Sequence, residues 1–136
     1  MKVEIRWFDI PAKDITRAAE FYSKLFDINL EVVDCSGGAK MACFPDGNGS
    51  IYQSKDGVPT TDGVTITYTV EGKIEEMTQK AVCLGGKLIE PVTEIEAESC
   101  GFFTLVLDRE GNKIGFHSAT LEKSNEVKGE QLFMTE

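Results

Sequence analysis

One order of predicted elements, strand–helix–strand–strand–strand, occurs twice in this chain of 136 residues. In the first copy the apolar patterns predict a helix over residues 14–26 and strands over 3–10, 30–33, 40–44 and 50–53. In the second copy they predict a helix with apolar positions 74, 77, 81 and 84, strands over 64–70, 87–89, 102–107 and 113–118, and an irregular stretch over 91–100. Ile10 aligns with Val70 and Gly47 with Gly111, at offsets of 60 and 64 residues. The chain is therefore an internal duplication.

The duplication predicts an α+β fold of two pseudo-twofold βαβββ modules, whose strands form a curved mixed sheet around a cavity. One helix covers one face of each small sheet, and the second face stays free to enclose a shared cavity. We expect a single domain over residues 1–120, with module one over 1–57, a polar linker over 55–63 and module two over 63–120. Residues 121–136 have no counterpart in the first copy and form a C-terminal tail.

Composition narrows the classes of partner. The chain carries 14 basic and 23 acidic residues, a net charge of −9, which opposes binding to nucleic acid or to an anionic membrane. The first residues lack the apolar core of a signal peptide, and no apolar run is long enough to span a membrane. The four cysteines, at positions 35, 43, 83 and 100, show no zinc-type spacing. We therefore expect a cytoplasmic protein with reduced thiols.

Two segments carry a family resemblance. Residues 7–22, WFDIPAKDITRAAEFY, resemble the opening module of the vicinal oxygen chelate superfamily, which includes glyoxalase I, bleomycin-resistance proteins and extradiol dioxygenases. Residues 108–118, DREGNKIGFHS, resemble its closing hairpin, and residues 85–88, GGKL, match the usual end of its second helix. The resemblance covers residues 3–118. It implies paired βαβββ modules, a cavity for each module pair and, frequently, a homodimer.

The resemblance also points to four strand positions where metal-dependent members carry His, Gln or Glu. In this sequence the first falls on Trp7, the third on Thr67 and the fourth on Gly115. The second falls on Tyr52, or on Gln53 if the register slips by one residue. An indole offers no lone pair and a glycine has no side chain, so these residues are poor metal ligands. We expect no metal and no other cofactor, although a divalent metal at a displaced site stays open.

The same positions supply the candidate ligand-binding residues, namely Trp7, Tyr52, Thr67 and His117. The side chain of His117, the only histidine, should point the same way as Gly115 by strand alternation. It is the candidate catalytic residue, as a proton acceptor, or else a histidine bonded within the fold. Trp7 either stacks on a ligand or fills the space of the absent metal. Tyr52 either offers its hydroxyl to a ligand or only packs.

Further candidates have simpler interpretations beside the functional ones. Asp9 shares the inward face of the first strand with Trp7, or only ends that strand in solvent. Glu94, Glu96 and Glu98 either guide a cationic ligand to the cavity mouth or form a solvated acidic loop. Cys100 is either a reactive thiol or an inert one, since no base lies near it in sequence.

Three functions compete. The leading hypothesis is a glyoxalase/bleomycin-resistance-like protein, similar to lactoylglutathione lyase-related proteins, that binds a small organic molecule between its modules without the family's metal. The alternatives are a metal-dependent lyase or dioxygenase that uses a displaced site, and a structural or interaction module with a filled cavity. We also predict a homodimer, because small sheets leave edge strands exposed. The apolar residues 132–134 of the tail could seal a seam between subunits.

Overall fold

The structure is a computed structural model that describes residues 1–96 and 100–122. The elements in chain order are β1 (Phe8–Pro11), α1 (Ile15–Phe26), β2 (Val32–Asp34), β3 (Lys40–Cys43), β4 (Gly49–Gln53), β5 (Ile66–Thr69), α2 (Ile74–Cys83), β6 (Lys87–Glu94), β7 (Phe102–Leu107) and β8 (Lys113–Ser118). The tail residues 123–136, with the predicted apolar patch 132–134, lie outside the described residues.

The strands form two four-stranded mixed sheets with matching topologies. The strand orders are β1-β4-β3-β2 in module one and β5-β8-β7-β6 in module two. In each sheet the first strand pairs in parallel with the last strand of its module, and the other pairs are antiparallel. The predicted α+β fold with two modules is confirmed. The two sheets are not closed, and β1 and β5 lie at a sheet edge with one side unpaired.

Helix α1 is determined by its apolar periodicity and its caps. The Asp14 side chain caps the helix by accepting from the backbone N–H of Arg17 at 3.1 Å. Asp27 ends it in the left-handed conformation, with φ 54°. The buried positions recur at helical spacing and form much of the core of module one: Ile15, Ala18, Ala19, Phe21, Tyr22 and Leu25.

Helix α2 is shorter and less strongly capped. Lys73 precedes it without a side-chain cap, and Glu75 and Glu76 lie in its first turn. Glu122 accepts from the backbone N–H of Glu76 at 2.7 Å, which brings the end of the described chain onto this helix. Its buried residues face the second sheet: Ile74, Met77, Thr78 and Ala81.

Several predicted boundaries differ from the structure, and those of β1 and β6 differ most. Strand β1 begins at Phe8 rather than at residue 3, because residues 1–7 have no partner strand in the structure. Val3 and Ile5 are consequently 90% and 86% exposed. Pro11 belongs to β1, which tolerates it as an edge strand. Strand β6 continues through Pro91 to Glu94, where we expected irregular chain, and two register shifts accommodate it against β7.

Candidate functional site

Strand alternation sorts the predicted site residues onto one side of the sheets. Ile51, Ile114 and Phe116 are no more than 1% exposed and belong to the core beneath the helices. Their neighbours along the strands, Tyr52 and Gly115, therefore lie on the opposite surface. By the same alternation Tyr52, Thr67 and His117 lie on the side of the two sheets away from the helices, and a hydrogen bond to Asp9 holds Trp7, just before β1, on the same side. We call this side the open face.

On the open face of module one, Trp7, Asp9 and Ser50 are linked by hydrogen bonds. The indole Nε1–H of Trp7 donates to Oδ1 of Asp9 at 2.9 Å. The hydroxyl of Ser50, which is fully buried, donates to the same oxygen at 2.7 Å. Asp9 thus does more than end a strand, because two donors, one just before β1 and one on β4, fix the orientation of its carboxylate.

Tyr52 and Gln53, the two candidates for the second position, point to opposite sides of β4. Oε1 of Gln53 accepts from the backbone N–H of Ile15 at 2.7 Å, at the start of α1. Gln53 therefore lies on the helix side and has a structural role there. Tyr52 lies on the open face and borders a groove of about 630 Å³ formed with residues 36–39 and 53–58.

Thr67 and Gly115 are paired neighbours on β5 and β8. A Cβ atom at Gly115 would lie 2.8 Å from Oγ1 of Thr67 and 3.3 Å from the carbonyl oxygen of Thr104. A longer side chain at position 115 would have to displace backbone as well as Thr67. Position 115, the predicted fourth position, offers no side-chain donor, and the local packing disfavours a longer side chain there.

His117 is partly buried, and its ring is tied to the backbone. Its Nε2 lies 2.6 Å from the carbonyl oxygen of Cys100, so this nitrogen carries the proton in the bond. His117 also pairs with Thr69 and Phe103 in the sheet. This bond to Cys100 matches the simpler interpretation of His117, a histidine that is hydrogen-bonded within the fold. It leaves Nδ1 as the nitrogen with which His117 could accept a proton.

The four predicted ligand-binding residues do not share one cavity. Tyr52 borders the groove of module one, Thr67 borders a separate cavity described below, and Trp7 and His117 lie on different sheets. Within residues 1–96 and 100–122, no three His, Cys, Asp or Glu side chains are arranged to hold a metal ion. The roles of the four residues remain predictions.

A cavity of about 420 Å³ lies between the two modules. Module one contributes Phe8, Phe26, Ile28, Phe44 and the turn after β3, and module two contributes residues 66–69 of β5. We call it the inter-module cavity. Sequence analysis predicted a cavity between the modules but not these walls, apart from Thr67.

Aromatic rings dominate the walls of the inter-module cavity. Phe8 and Phe44 lie 5.7 Å apart between ring centroids, and Tyr68 lies 4.8 Å from Phe26 and 6.1 Å from Phe44. Such tilted and edge-on contacts are favourable for aromatic pairs. The rings belong to both modules, so they join the modules and line the cavity at the same time.

The hydroxyl of Tyr68 is buried near the Tyr22 hydroxyl and the Asp108 carboxylate, and it makes no hydrogen bond of good geometry with a described residue. Burial raises the pKa of Tyr68 well above its usual value, and the charge of Asp108 raises it further. Tyr68 therefore stays neutral throughout the physiological range and keeps a proton to donate. An unpartnered buried hydroxyl is costly unless a ligand or water satisfies it.

A second contact between the modules is polar. Asp108, 3% exposed at the end of β7, accepts from the hydroxyl of Tyr22 at 2.6 Å. It also accepts from the backbone N–H groups of Glu110 and Asn112, at 2.8 and 2.9 Å, and from the Asn112 side chain. Asn112 in turn donates to the carbonyl oxygen of Pro11 at 2.8 Å. Burial and then the charge of Asp108 raise the pKa of Tyr22 well above its usual value.

Glu110 extends this contact toward solvent. Its carboxylate pairs with Arg17 at 2.5 Å and accepts from the backbone N–H groups of Lys13 and Asp14, at 2.9 and 3.0 Å. Burial would raise the pKa of Glu110, but the hydrogen bonds from Arg17, Asp14 and Lys13 outweigh it, so the pKa is lowered. Sequence analysis missed the residues of this contact as a group, because they are distant along the chain.

The remaining candidates lie at the far end of module two. Glu94 and Glu96 are exposed, as the interpretation of a solvated acidic stretch requires, while Glu98 lies outside the described residues. Cys100 is exposed as a free thiol, and its carbonyl group accepts a hydrogen bond from His117.

Neither described α-helix is long and apolar enough to cross a bilayer.

Sequence comparison finds no matching protein-family model and no matching curated protein. Structure comparison does find similar folds. A glyoxalase/bleomycin resistance protein/dioxygenase family enzyme from Burkholderia phytofirmans PsJN is 15% identical with a TM-score of 0.62, covering 86% of this chain and 99% of its own. A genomically encoded fosfomycin resistance protein from Listeria monocytogenes is 16% identical with a TM-score of 0.63, covering 93% and 98%.

A third similar structure is a glyoxalase-related enzyme from Fulvimarina pelagi, 13% identical with a TM-score of 0.61, covering 85% of this chain and 87% of its own. All three matches span both modules of this chain, and their low identities leave the fold as what is shared. The chain has the paired βαβββ fold of the vicinal oxygen chelate superfamily, as the resemblance of residues 7–22 and 108–118 implied.

Proposed function

We propose that the protein binds a small organic molecule in the inter-module cavity and that it does so without a metal ion. The observation that carries the proposal is the cavity itself, about 420 Å³ with aromatic walls from both modules. Cavities of this size, mostly apolar and with a few polar groups, are the usual binding sites for small organic molecules.

The walls define the class of ligand. Phe8, Phe26 and Phe44 offer ring faces and edges to a flat apolar or aromatic group. Asp46 and Asn48, both exposed in the turn after β3, stand at the same cavity and offer polar contacts to water-facing groups of a ligand. Among residues 1–96 and 100–122, no histidine or cysteine lines the cavity. We therefore propose binding rather than catalysis there, and His117 stays the candidate proton acceptor on the open face.

Ligand-observed NMR with a set of monocyclic and bicyclic aromatic compounds tests this proposal. Ile28→Trp places a larger side chain at the cavity wall and should abolish the signals of bound compounds. Val82→Trp is the matched control, since Val82 is exposed on α2 and does not line the cavity. The proposal is wrong if no compound binds the unmodified protein, or if both variants bind the same compounds equally well.

The first alternative is a metal-dependent lyase or dioxygenase with a displaced site. A variant of the Listeria fosfomycin resistance protein, 16% identical to this chain, is complexed with Mn(II) and a dihydroxypropylphosphonic acid. A displaced metal site built from Gln53, His117 and one acidic residue is unfavourable. Gln53 caps α1 on the helix side of one sheet, while His117 lies on the open face of the other. Elemental analysis of the purified protein that found stoichiometric zinc, nickel, iron or manganese would favour this alternative.

The second alternative is a structural or interaction module with a filled cavity. An open volume of about 420 Å³ between the modules supports binding over this alternative. The NMR screen separates the two, because a filled cavity should bind none of the compounds.

We propose a homodimer as the assembled state. The outer edge strands of the two sheets carry exposed apolar residues, Val32 and Val33 on β2 and Leu88 and Ile89 on β6. Exposed apolar edges favour pairing with another chain. Sedimentation equilibrium should give about 30 kDa, twice the chain mass of 15.0 kDa. A mass of one chain at micromolar concentration would refute the dimer.

We also propose a cytoplasmic location with reduced cysteines. All four cysteines, at positions 35, 43, 83 and 100, are free thiols in the structure. Titration of protein purified without reductant should find four thiols, and disulfide formation between any two of them would contradict the proposal.

A further inference from the structure

We infer that Trp7, Asp9 and Ser50 form a binding site for a small organic ammonium ion on the open face of module one. This site is distinct from the inter-module cavity, which is lined by Phe8 but by none of these three residues. The two sites can therefore be tested independently. The inference depends on how the carboxylate is held, on which part of the indole is free, and on the charges nearby.

The carboxylate of Asp9 is held at one oxygen and free at the other. Oδ1 accepts both hydrogen bonds, from Trp7 at 2.9 Å and from Ser50 at 2.7 Å. Oδ2 accepts none from the part of the chain that the structure describes. Ser50 is 0% exposed within β4, so its hydroxyl cannot readily turn away from Asp9. The result is a carboxylate of fixed orientation with one oxygen free for a cation.

The indole of Trp7 lies beside this carboxylate with its ring accessible. Its only donor, Nε1–H, is occupied by Asp9, and the residue is 41% exposed. An aromatic face attracts cations, and an indole does so most strongly among protein side chains. An indole held edge-on to a carboxylate can contact the apolar surface of an organic ammonium ion while the carboxylate meets its charge.

The charges near Asp9 determine whether its carboxylate can bind a cation. Asp9 makes no ion pair with a lysine or arginine of residues 1–96 and 100–122. Lys113 and Asp9 both line a small cavity of about 190 Å³ near the starts of β5 and β8. Lys113 opposes a cation there, so removing its charge should strengthen binding. A metal ion is a poorer fit, because a single carboxylate lacks the further oxygen ligands that metal ions need.

The single tryptophan of this chain supplies the measurement. Its fluorescence is titrated with choline and with 3,3-dimethyl-1-butanol, the neutral isostere in which carbon replaces the ammonium nitrogen, at constant ionic strength. We expect a saturable change with choline and a response at least about tenfold weaker with the alcohol, because only the cation gains the ring and carboxylate attractions. Equal responses to the two compounds, or no response to choline, would overturn the inference without any variant being made.

Three variants locate the effect. Asp9→Asn keeps an oxygen for Trp7 and Ser50 but removes the charge, and it should weaken choline binding about tenfold. Asp34→Asn is the matched control on β2, at the opposite edge of the same sheet, and should bind as the unmodified protein does. Lys113→Met should bind choline more tightly. Asp9→Asn that melts normally and binds choline with unchanged affinity would also overturn the inference.

Discussion

The two modules contact each other through two equivalent turns, one of which is polar and the other apolar. The turn after β7 presents Asp108 to the first module, where hydrogen bonds to Tyr22 and Asn112 fill the contact. Phe44, 64 residues earlier, begins the equivalent turn after β3, where Gly47 and Asn48 match Gly111 and Asn112. Phe44 is 8% exposed and packs on Tyr68 of the second module.

The difference explains why one contact is closed and the other holds a cavity. A carboxylate at Asp108 requires donors around it and is surrounded by four of them, so its oxygens are satisfied within the fold. A ring at Phe44 needs only contact with other rings, and tilted rings leave space between them. The two turns occupy equivalent positions in the duplicated modules. Asp108 in one turn makes a fixed polar contact, and Phe44 in the other lines the candidate site.

Asp108→Ala tests the closed contact and should have the largest effect. It leaves buried donors of Tyr22, Glu110 and Asn112 without their acceptor, and we expect a loss of about 4 kcal/mol in the free energy of unfolding. Chemical denaturation followed by circular dichroism measures it. Asp46→Ala, in the turn of module one and exposed, is the control and should change stability by less than about 0.5 kcal/mol. Similar losses in the two variants would mean that the turns do not differ as described.

The sequence predicted the fold because its signals are local and occur twice. The periodicity of α1 and the alternation of β7 and β8 can be recognised in the sequence without knowledge of the tertiary structure. The errors fall where a strand depends on its partner. Residues 3–7 alternate like a strand but meet none, and β6 continues past Pro91 because β7 pairs with it. Pairing of this kind is a property of the assembled sheet, so a local pattern does not reveal it.

Of the four predicted ligand-binding residues, only Thr67 lines the inter-module cavity. The reason is again that a local pattern does not reveal tertiary contacts. Alternation placed Trp7, Tyr52, Thr67 and His117 on one side of the sheets, but how the two sheets lie together determines whether such residues meet. Tyr22 and Asp108 are 86 residues apart, and no spacing rule links them. An alignment of the two turns in the sequence matches Phe44 with Asp108 and could have shown that they are equivalent. It would not have shown which turn encloses a cavity.

Phe44→Ala tests the open contact. Deleting a buried ring from a core usually costs 3–5 kcal/mol, and we expect about 3 kcal/mol here because the wall of an existing cavity can relax into the space. The same variant should weaken binding of aromatic compounds in the NMR screen. Phe103→Ala, on β7 and away from this cavity, is the control for binding and should leave it unchanged. Unchanged binding in Phe44→Ala would separate the cavity from the proposed function.

Gly49→Ala tests how closely Phe8 is fitted beside the cavity. A Cβ atom at Gly49 would lie 2.4 Å from Cε2 of Phe8, so the ring must shift. We expect a loss of about 2 kcal/mol and an altered pattern of bound compounds, because the ring that moves lines the cavity. Gly63→Ala is the matched control, since its Cβ would meet only the Thr60 methyl group at 3.3 Å. Equal stability of the two alanine variants would show that Phe8 has free space around it.

Glu110→Gln tests the outer part of the closed contact and should have the smallest effect. The amide oxygen can still accept from Lys13 and Asp14, while the charge that pairs with Arg17 is lost, so we expect about 1 kcal/mol at neutral pH. The lowered pKa of Glu110 stabilises the folded state above its ordinary value of 4.5, and this stabilisation is lost as the pH falls through the lowered pKa. Denaturation curves between neutral pH and pH 3 should therefore converge for the variant and the unmodified protein. Glu20→Gln, which breaks the exposed pair with Lys24, should run parallel to the unmodified protein with a far smaller offset. A constant gap for Glu110→Gln across the acid range would show that the charge on Glu110 does not contribute to joining the modules.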